Sequence, residues 1–222
     1  MNRQLSKGFT LVEIAIVLVI VGLLIGGVLK GQEMITNAKL KRIESDNAGI
    51  AAAMFSYQDR YLQLPGDDSD AENRFDVYAA GDPVNGNGLG TIEGLWDVAS
   101  TGNIATALTD ESNMFFAHLR AAGLVPGGGT DDTKPSNAYG GLIGIQDGSL
   151  TIAGHVTIFG QIEGPIAKIL EARLDDGNLD KGRIQARKVA VAGDGSMDSV
   201  NPHPDAGDLY SDSLRYNLAF RL

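Results

Sequence analysis

Hydrophobic residues are concentrated in one unbroken run near the start of the chain. From Phe9 to Leu29 the sequence FTLVEIAIVLVIVGLLIGGVL contains a single ionisable side chain, Glu13. A helix rises about 1.5 Å per residue, so this run spans roughly 30 Å, the thickness of the hydrocarbon core of a bilayer. The run is longer than the apolar region of a secretory signal peptide, and no convincing small-x-small cleavage site comes at its end, after Ile25. The pattern therefore predicts a retained membrane-spanning helix over residues 9–29.

The helical pattern continues beyond the apolar run but becomes one-sided. Spacings of three and four residues place one set of side chains on a single helix face: Leu40, Ile43, Asn47, Ile50, Met54, Tyr57 and Tyr61. Pro65 and Gly66 end the pattern. We therefore expect one helix from Phe9 to about Leu62, with an amphipathic half over residues 30–62.

Residues 63–222 predict a globular head that mixes helices and strands. Helices are predicted after a capping box at Ser69-x-x-Glu72, over Thr109–Ala122 and after Glu163-Gly164-Pro165. Strands are predicted at Leu142–Ile145, Leu150–Ile152, His155–Phe159 and Arg183–Val191, and over the alternating sequence from Tyr216 to Leu222. The predicted fold class is therefore α+β, a long N-terminal helix packed on a small antiparallel-sheet head, in the form of a lollipop.

The composition of the chain and the motifs that it lacks argue against several classes of function. The 222 residues include no Cys, which excludes a disulfide scaffold, a Cys-based zinc site and a thiol nucleophile. A formal net charge of −10 argues against nucleic-acid binding, which needs a basic surface. The sequence has no G-x-S-x-G, phosphate-loop or H-E-x-x-H motif, so we expect no enzyme. We interpret His118 and His155 as packing residues, and Asp67, Asp68 and Asp70 as a solvated helix cap.

The residues at the start of the apolar run form a specific pattern. Residues 1–8, MNRQLSKG, include two basic residues and no acid, Gly8 precedes Phe9, and Glu13 is the fifth residue after this leader. The pattern resembles the signal of type IV pilins and type II secretion pseudopilins. The resemblance implies that a prepilin peptidase cleaves between Gly8 and Phe9 and methylates the new N-terminus at Phe9.

The same resemblance implies a role in a filament. The protein would be a structural subunit of a type IV pilus-like filament, built with copies of itself and other pilins by an inner-membrane assembly platform. Glu13 would pair with the N-terminal amine of Phe9 on a neighbouring subunit, because either charge alone is costly in a low dielectric. This pairing would set the register of the subunits.

The resemblance also implies an orientation in the bacterial inner membrane. The leader would remain cytoplasmic and the head would be periplasmic, before assembly into a periplasmic or cell-surface filament. Four basic residues follow the apolar run and outnumber the two before it, so the positive-inside rule alone favours the opposite orientation. We give the motif precedence over that count.

Two alternatives to a pilus subunit stay open at this point. The first is a pseudopilin of a type II secretion system, which carries the same signal. The second is a membrane-anchored periplasmic binding domain that uses the signal without polymerising.

One acidic loop is a candidate metal site. Asp175, Asp176, Asn178 and Asp180 follow the C-terminal end of a predicted helix, where the helix macrodipole disfavours anions. A Ca²⁺ ion bound by these four residues would offset that cost. A solvated turn with Gly177 after the helix is the alternative, and no cofactor is otherwise required.

The position of Gly8 and Phe9 predicts the mature N-terminus. We expect mass spectrometry of the assembled protein to find N-methylated Phe9 as its first residue. Replacing Gly8 with a bulky side chain should leave uncut precursor in the membrane, because the peptidase cleaves after a Gly. An intact Met1 terminus in assembled material, or a cut at another bond, would contradict this prediction.

Overall fold

The computed structural model describes residues 10–100, 102–104, 110–189 and 210–222. The chain forms two compact units, Met1–Lys41 and Arg42–Leu222. A long apolar N-terminal helix is accompanied, among the described residues, by a small four-stranded antiparallel sheet. The α+β fold class predicted from the sequence is therefore confirmed. Gly8 and Phe9 lie outside the described residues.

Helix α1 spans Leu11–Tyr61, which is 51 residues. Its apolar part is long and hydrophobic enough to cross a membrane, judged by length and composition. In the second half Ile43, Ile50 and Tyr57 of the predicted stripe are buried. The helix ends at Tyr61, because the next residue, Leu62, has a φ of 59°, a left-handed conformation that interrupts helical geometry. The end predicted near Leu62 is thus confirmed.

The remaining elements belong to the second unit. The helices are α2 (Ala71–Arg74), α3 (Glu111–Ala121) and α4 (Gly164–Leu174). The strands are β1 (Ile143–Ser149), β2 (Ile152–Glu163), β3 (Ile184–Lys188) and β4 (Arg215–Arg221). The strand order is β1-β2-β4-β3, and every neighbouring pair is antiparallel.

Two local predictions are wrong. Leu150 has a φ of 55° and lies in the turn between β1 and β2, so Leu150–Ile152 is not a separate strand. The capping box at Ser69 does not form, because α2 begins after Asp70 without a side-chain cap. Instead Glu72 accepts a hydrogen bond from the Gly81 N–H at 2.7 Å.

Both faces of the sheet are covered by other parts of the head. On one face the rings of Phe159 and Phe220 lie 5.2 Å apart, and the Thr157 hydroxyl bonds to Asn47 of α1. On the opposite face Trp96 packs against a cluster formed by Ile152, Val156, Ile158 and Ala219. The strict alternation from Tyr216 correctly predicts a strand but not that both of its faces are buried.

A buried carboxylate connects α1 to the segment that follows it. Asp68 is fully buried, and its Oδ2 accepts hydrogen bonds from the Tyr57 hydroxyl at 2.6 Å and from Arg74 Nε at 2.8 Å. Asp67 is also buried and accepts the N–H groups of Gly88, Leu89 and Gly90. Asp67 and Asp68 are therefore not part of a solvated cap, and that interpretation is wrong for them.

His118 of α3 adds a second buried polar connection. Its Nδ1 accepts the Gly66 N–H at 2.9 Å, and its Nε2 lies 2.8 Å from the Val84 carbonyl oxygen. Only the neutral ring protonated at Nε2 makes both bonds. Burial lowers the pKa of His118 to about 4. The structure thus confirms His118 as a packing residue of the core.

We predict that His118 makes the head acid-sensitive. Because its pKa is lower in the folded than in the unfolded state, its stabilising contribution is present above pH 6.5 and is lost as the pH falls through about 4. The full loss corresponds to about 3 kcal/mol of unfolding free energy. Denaturant unfolding of the detergent-solubilised chain at pH 7 and pH 4 measures it.

A His118→Gln variant isolates this contribution, because glutamine has a donor and an acceptor but does not titrate. It should be less stable than the wild type at pH 7 and lose less stability on acidification. Equal losses in the two proteins would contradict the assignment.

Candidate functional site

Reciprocal hydrogen bonds between Thr10 and Glu13 cap the N-terminal end of α1. Glu13 Oε2 accepts the backbone N–H of Thr10 at 2.8 Å and the Thr10 hydroxyl at 2.8 Å. The Glu13 N–H in turn lies 3.2 Å from Thr10 Oγ1. This is the capping-box arrangement, which satisfies backbone N–H groups that the first turn of a helix leaves without partners.

Thr10 is a residue of this site that the sequence reasoning missed. The signal was present as Thr10-x-x-Glu13, the spacing of a capping box directly before an apolar helix. Glu13 therefore orders the helix start within its own chain. The reciprocal bonds to its carboxylate use Oε2, and a carboxylate has about four lone-pair positions over two oxygens. Acceptor capacity is thus left at Oε1 for a donor from another molecule.

The surface around Glu13 is apolar and open. Every large apolar side chain of α1 from Leu11 to Leu29 is exposed, with Leu11 at 90%. A contiguous apolar surface of this size is unfavourable in water and is typical of a surface that contacts lipid or another protein. The next charged groups along the helix are Lys30 and Glu33, which form an exposed ion pair at 2.8 Å.

The N-terminal end of the chain matches a known protein-family model. A model described as the prokaryotic N-terminal methylation motif matches residues 3–29. The chain carries this methylation motif. It is the signal of type IV pilins and pseudopilins, so the resemblance found around Gly8, Phe9 and Glu13 is confirmed. No curated protein and no solved structure matches the chain.

The methylation motif establishes a coarse description of the protein. The motif supports a pilin-like or pseudopilin-like protein, and the N-terminal helix fits membrane anchoring. The motif implies processing by prepilin peptidase. The individual roles of Gly8, Phe9 and Glu13 stay predictions.

The four predicted calcium ligands lie in one loop and are partly engaged with its backbone. Asp175 Oδ2 accepts the Ile184 N–H at 2.7 Å and also the Arg183 N–H. Asp176 Oδ1 accepts the Asn178 N–H at 2.8 Å. Asn178 Oδ1 accepts the Asp180 N–H at 3.5 Å. The backbone contacts of Asn178 and Asp180 are those of an ordinary turn.

Glu171 of α4 is the carboxylate that the sequence reasoning missed. Glu171, Asp175 and Asp176 each have an oxygen within 4.8 Å of the others. Glu171 is fully buried, and its Oε2 accepts the Tyr210 hydroxyl at 3.3 Å while Oε1 has no hydrogen-bond partner. The signal was the position of Glu171 four residues before Asp175, in the last turn of the predicted helix.

The surroundings of Glu171 favour a bound cation or a bound proton. Burial, and then the negative charges of Asp175 and Asp176, raise the pKa of Glu171 to about 8. A divalent cation would pair with Oε1 and reduce the repulsion among the three carboxylates. The donor set of Glu171, Asp175 and Asp176 therefore fits Ca²⁺, whereas Asp180 of the ligands predicted from the sequence lies outside this group.

We predict that Ca²⁺ raises the melting temperature of the full chain in detergent and that EDTA lowers it. A ligand that binds only the folded state stabilises it by about 2.7 kcal/mol at a hundredfold excess over Kd. Glu171→Gln and Asp176→Ala should each remove the difference between the two conditions. Asp180→Asn is the matched control, since Asp180 is outside the three-carboxylate group. Identical melting curves for the wild type in Ca²⁺ and in EDTA would contradict the site.

Proposed function

We propose that the protein is a structural subunit of a type IV pilus-like filament. Prepilin peptidase would cleave it between Gly8 and Phe9, and the apolar half of α1 would pack in the filament core. The observation that carries this proposal is the methylation motif over residues 3–29, with one carboxylate in an otherwise apolar helix. The inner-membrane assembly platform and other pilins would be its partners.

The position of Glu13 supports polymerisation over simple anchoring. A carboxylate at the centre of a membrane helix costs on the order of 2.5–3.5 kcal/mol, and a simple anchor gains from the charge of Glu13 nothing that a capping glutamine would not supply. Capping alone does not require a charge, because Gln replaces Glu in a capping box. The charge itself therefore has a use outside the subunit. The proposed partner is the N-terminal amine of Phe9 on a neighbouring subunit.

The methylation motif also supports a second candidate, a pseudopilin of a type II secretion system. Both candidates polymerise through the same helix, so the fate of the filament distinguishes them. Deletion of the gene should remove surface filaments if the protein is a pilin. If it is a pseudopilin, deletion should block export of secreted proteins and leave surface filaments unchanged.

We predict that Glu13→Gln is inserted and processed but assembles few or no filaments. This substitution keeps the capping hydrogen bonds and removes only the charge. Thr10→Val, which removes the cap hydroxyl and keeps the charge, should reduce filament yield much less. The yield of sheared filaments, normalised to processed subunit in the membrane, measures both effects.

Glu33→Gln is the matched control, because it removes a carboxylate from the exposed Lys30 pair on the same helix. It should assemble normally. Wild-type filament yield from Glu13→Gln would contradict the charge-pairing role. Loss of filaments in Thr10→Val together with normal yield in Glu13→Gln would show that only the cap matters.

A further inference from the structure

A buried lysine lies against a buried asparagine in the head. Lys134 is 4% exposed, and its Nζ donates to the Val98 carbonyl oxygen at 2.6 Å. The same Nζ contacts Oδ1 of Asn113, a fully buried residue of α3. The other atom of that amide, Nδ2, donates to the Ala99 carbonyl oxygen at 3.3 Å. Amine and amide are thus held together with little access for water.

The surroundings of Lys134 favour a reactive amine. Burial lowers the pKa of Lys134 to about 8, and the negative charges of Asp132, Asp97 and Asp110 oppose this shift only in part. A lysine with such a pKa has a substantial neutral fraction near neutral pH, and the neutral amine is the nucleophile. Asp132 is itself fully buried and accepts the Gly102 N–H.

We propose that Lys134 and Asn113 become joined by an intramolecular isopeptide bond. The neighbouring groups are an amine and an amide that it contacts, and these are the two reactants of amide exchange. The reaction needs no oxidant, metal or second substrate. It also suits a chain that has no Cys and therefore no disulfide to connect distant segments.

The chemistry balances within the site. The neutral Nζ of Lys134 attacks Cγ of Asn113, so that the Nζ–Cγ bond forms and the carbonyl electron pair moves to Oδ1. Collapse of this intermediate breaks the Cγ–Nδ2 bond. The proton lost by Nζ is transferred to Nδ2, which leaves as ammonia. Lysine ammonium and asparagine amide are thereby converted to a secondary amide and an ammonium ion.

The bond would connect α3 to the segment that leads into β1. A covalent link between two distant positions restricts the unfolded chain in the same way as a disulfide. Unlike a disulfide, it is independent of the redox state of the compartment. In the absence of the bond, Lys134 is simply a buried amine with hydrogen bonds to Val98 and Asn113. The two descriptions differ in covalent mass and are therefore distinguishable.

Tryptic mapping of the full-length purified protein tests the proposal. Trypsin releases Asn113 in the peptide over residues 75–120 and Lys134 in the peptide over residues 121–168, because Lys134 precedes Pro135 and is not cut. We expect these peptides as one linked species, lighter than their combined mass by about 17 Da, one ammonia. Two separate peptides with unmodified masses would overturn the proposal.

Three variants assign the atoms of the link. Lys134→Arg and Asn113→Ala should each give separate peptides, because one removes the amine and the other the carbonyl. Asn113→Asp should give a linked species of the same mass as the wild type, since loss of water forms the same amide. Linked peptides from Lys134→Arg or from Asn113→Ala would overturn the assignment of the two bonded atoms.

Discussion

A carboxylate in an apolar helix has to be satisfied by hydrogen bonds or by an opposite charge, and this constraint governs the functional end of the protein. Glu13 is the only ionisable side chain from Phe9 to Leu29. Within the chain its Oε2 bonds to Thr10, which fixes the first turn of α1. The capping box orients the carboxylate but does not neutralise it. A cationic partner on another subunit would complete its environment and select one axial register, which apolar packing alone leaves undetermined.

The head depends on buried polar groups in place of disulfides. Asp68 accepts hydrogen bonds from Tyr57 of α1 and from Arg74. Both ring nitrogens of His118 in α3 bond to the backbone, one to Gly66 and one to Val84. These bonds connect the two helices to the loops between them. Each of these groups would be costly if its partner were removed, so the network favours one arrangement of segments that are far apart in sequence. Lys134 and Glu171 are buried in the same head, where burial lowers the pKa of Lys134 and raises the pKa of Glu171.

Local patterns predicted the parts of the structure that local interactions determine. The apolar run and the stripe of side chains at spacings of three and four residues predicted α1, and the C-terminal alternation predicted β4. The residue types around Gly8 predicted the methylation motif. The burial of Asp67 was not predictable, because its partners are the backbone N–H groups of residues 88–90. Ser69-x-x-Glu72 and Thr10-x-x-Glu13 have the same pattern, yet only the second forms a capping box. Tertiary contacts, such as Gly81 with Glu72, decide between them.

The central claim is that Glu13 of one subunit pairs with the N-terminal amine of another, and an intersubunit distance tests it most directly. Filaments would be assembled from two separately labelled pools, one with ¹⁵N-Phe and one with ¹³Cδ-Glu, so that any close contact between the labels joins different subunits. Solid-state NMR should then detect the Phe9 amine at ion-pair distance from the Glu13 carboxylate, with an N–O separation of about 4 Å or less. Assembled filaments without that intersubunit contact would contradict the account.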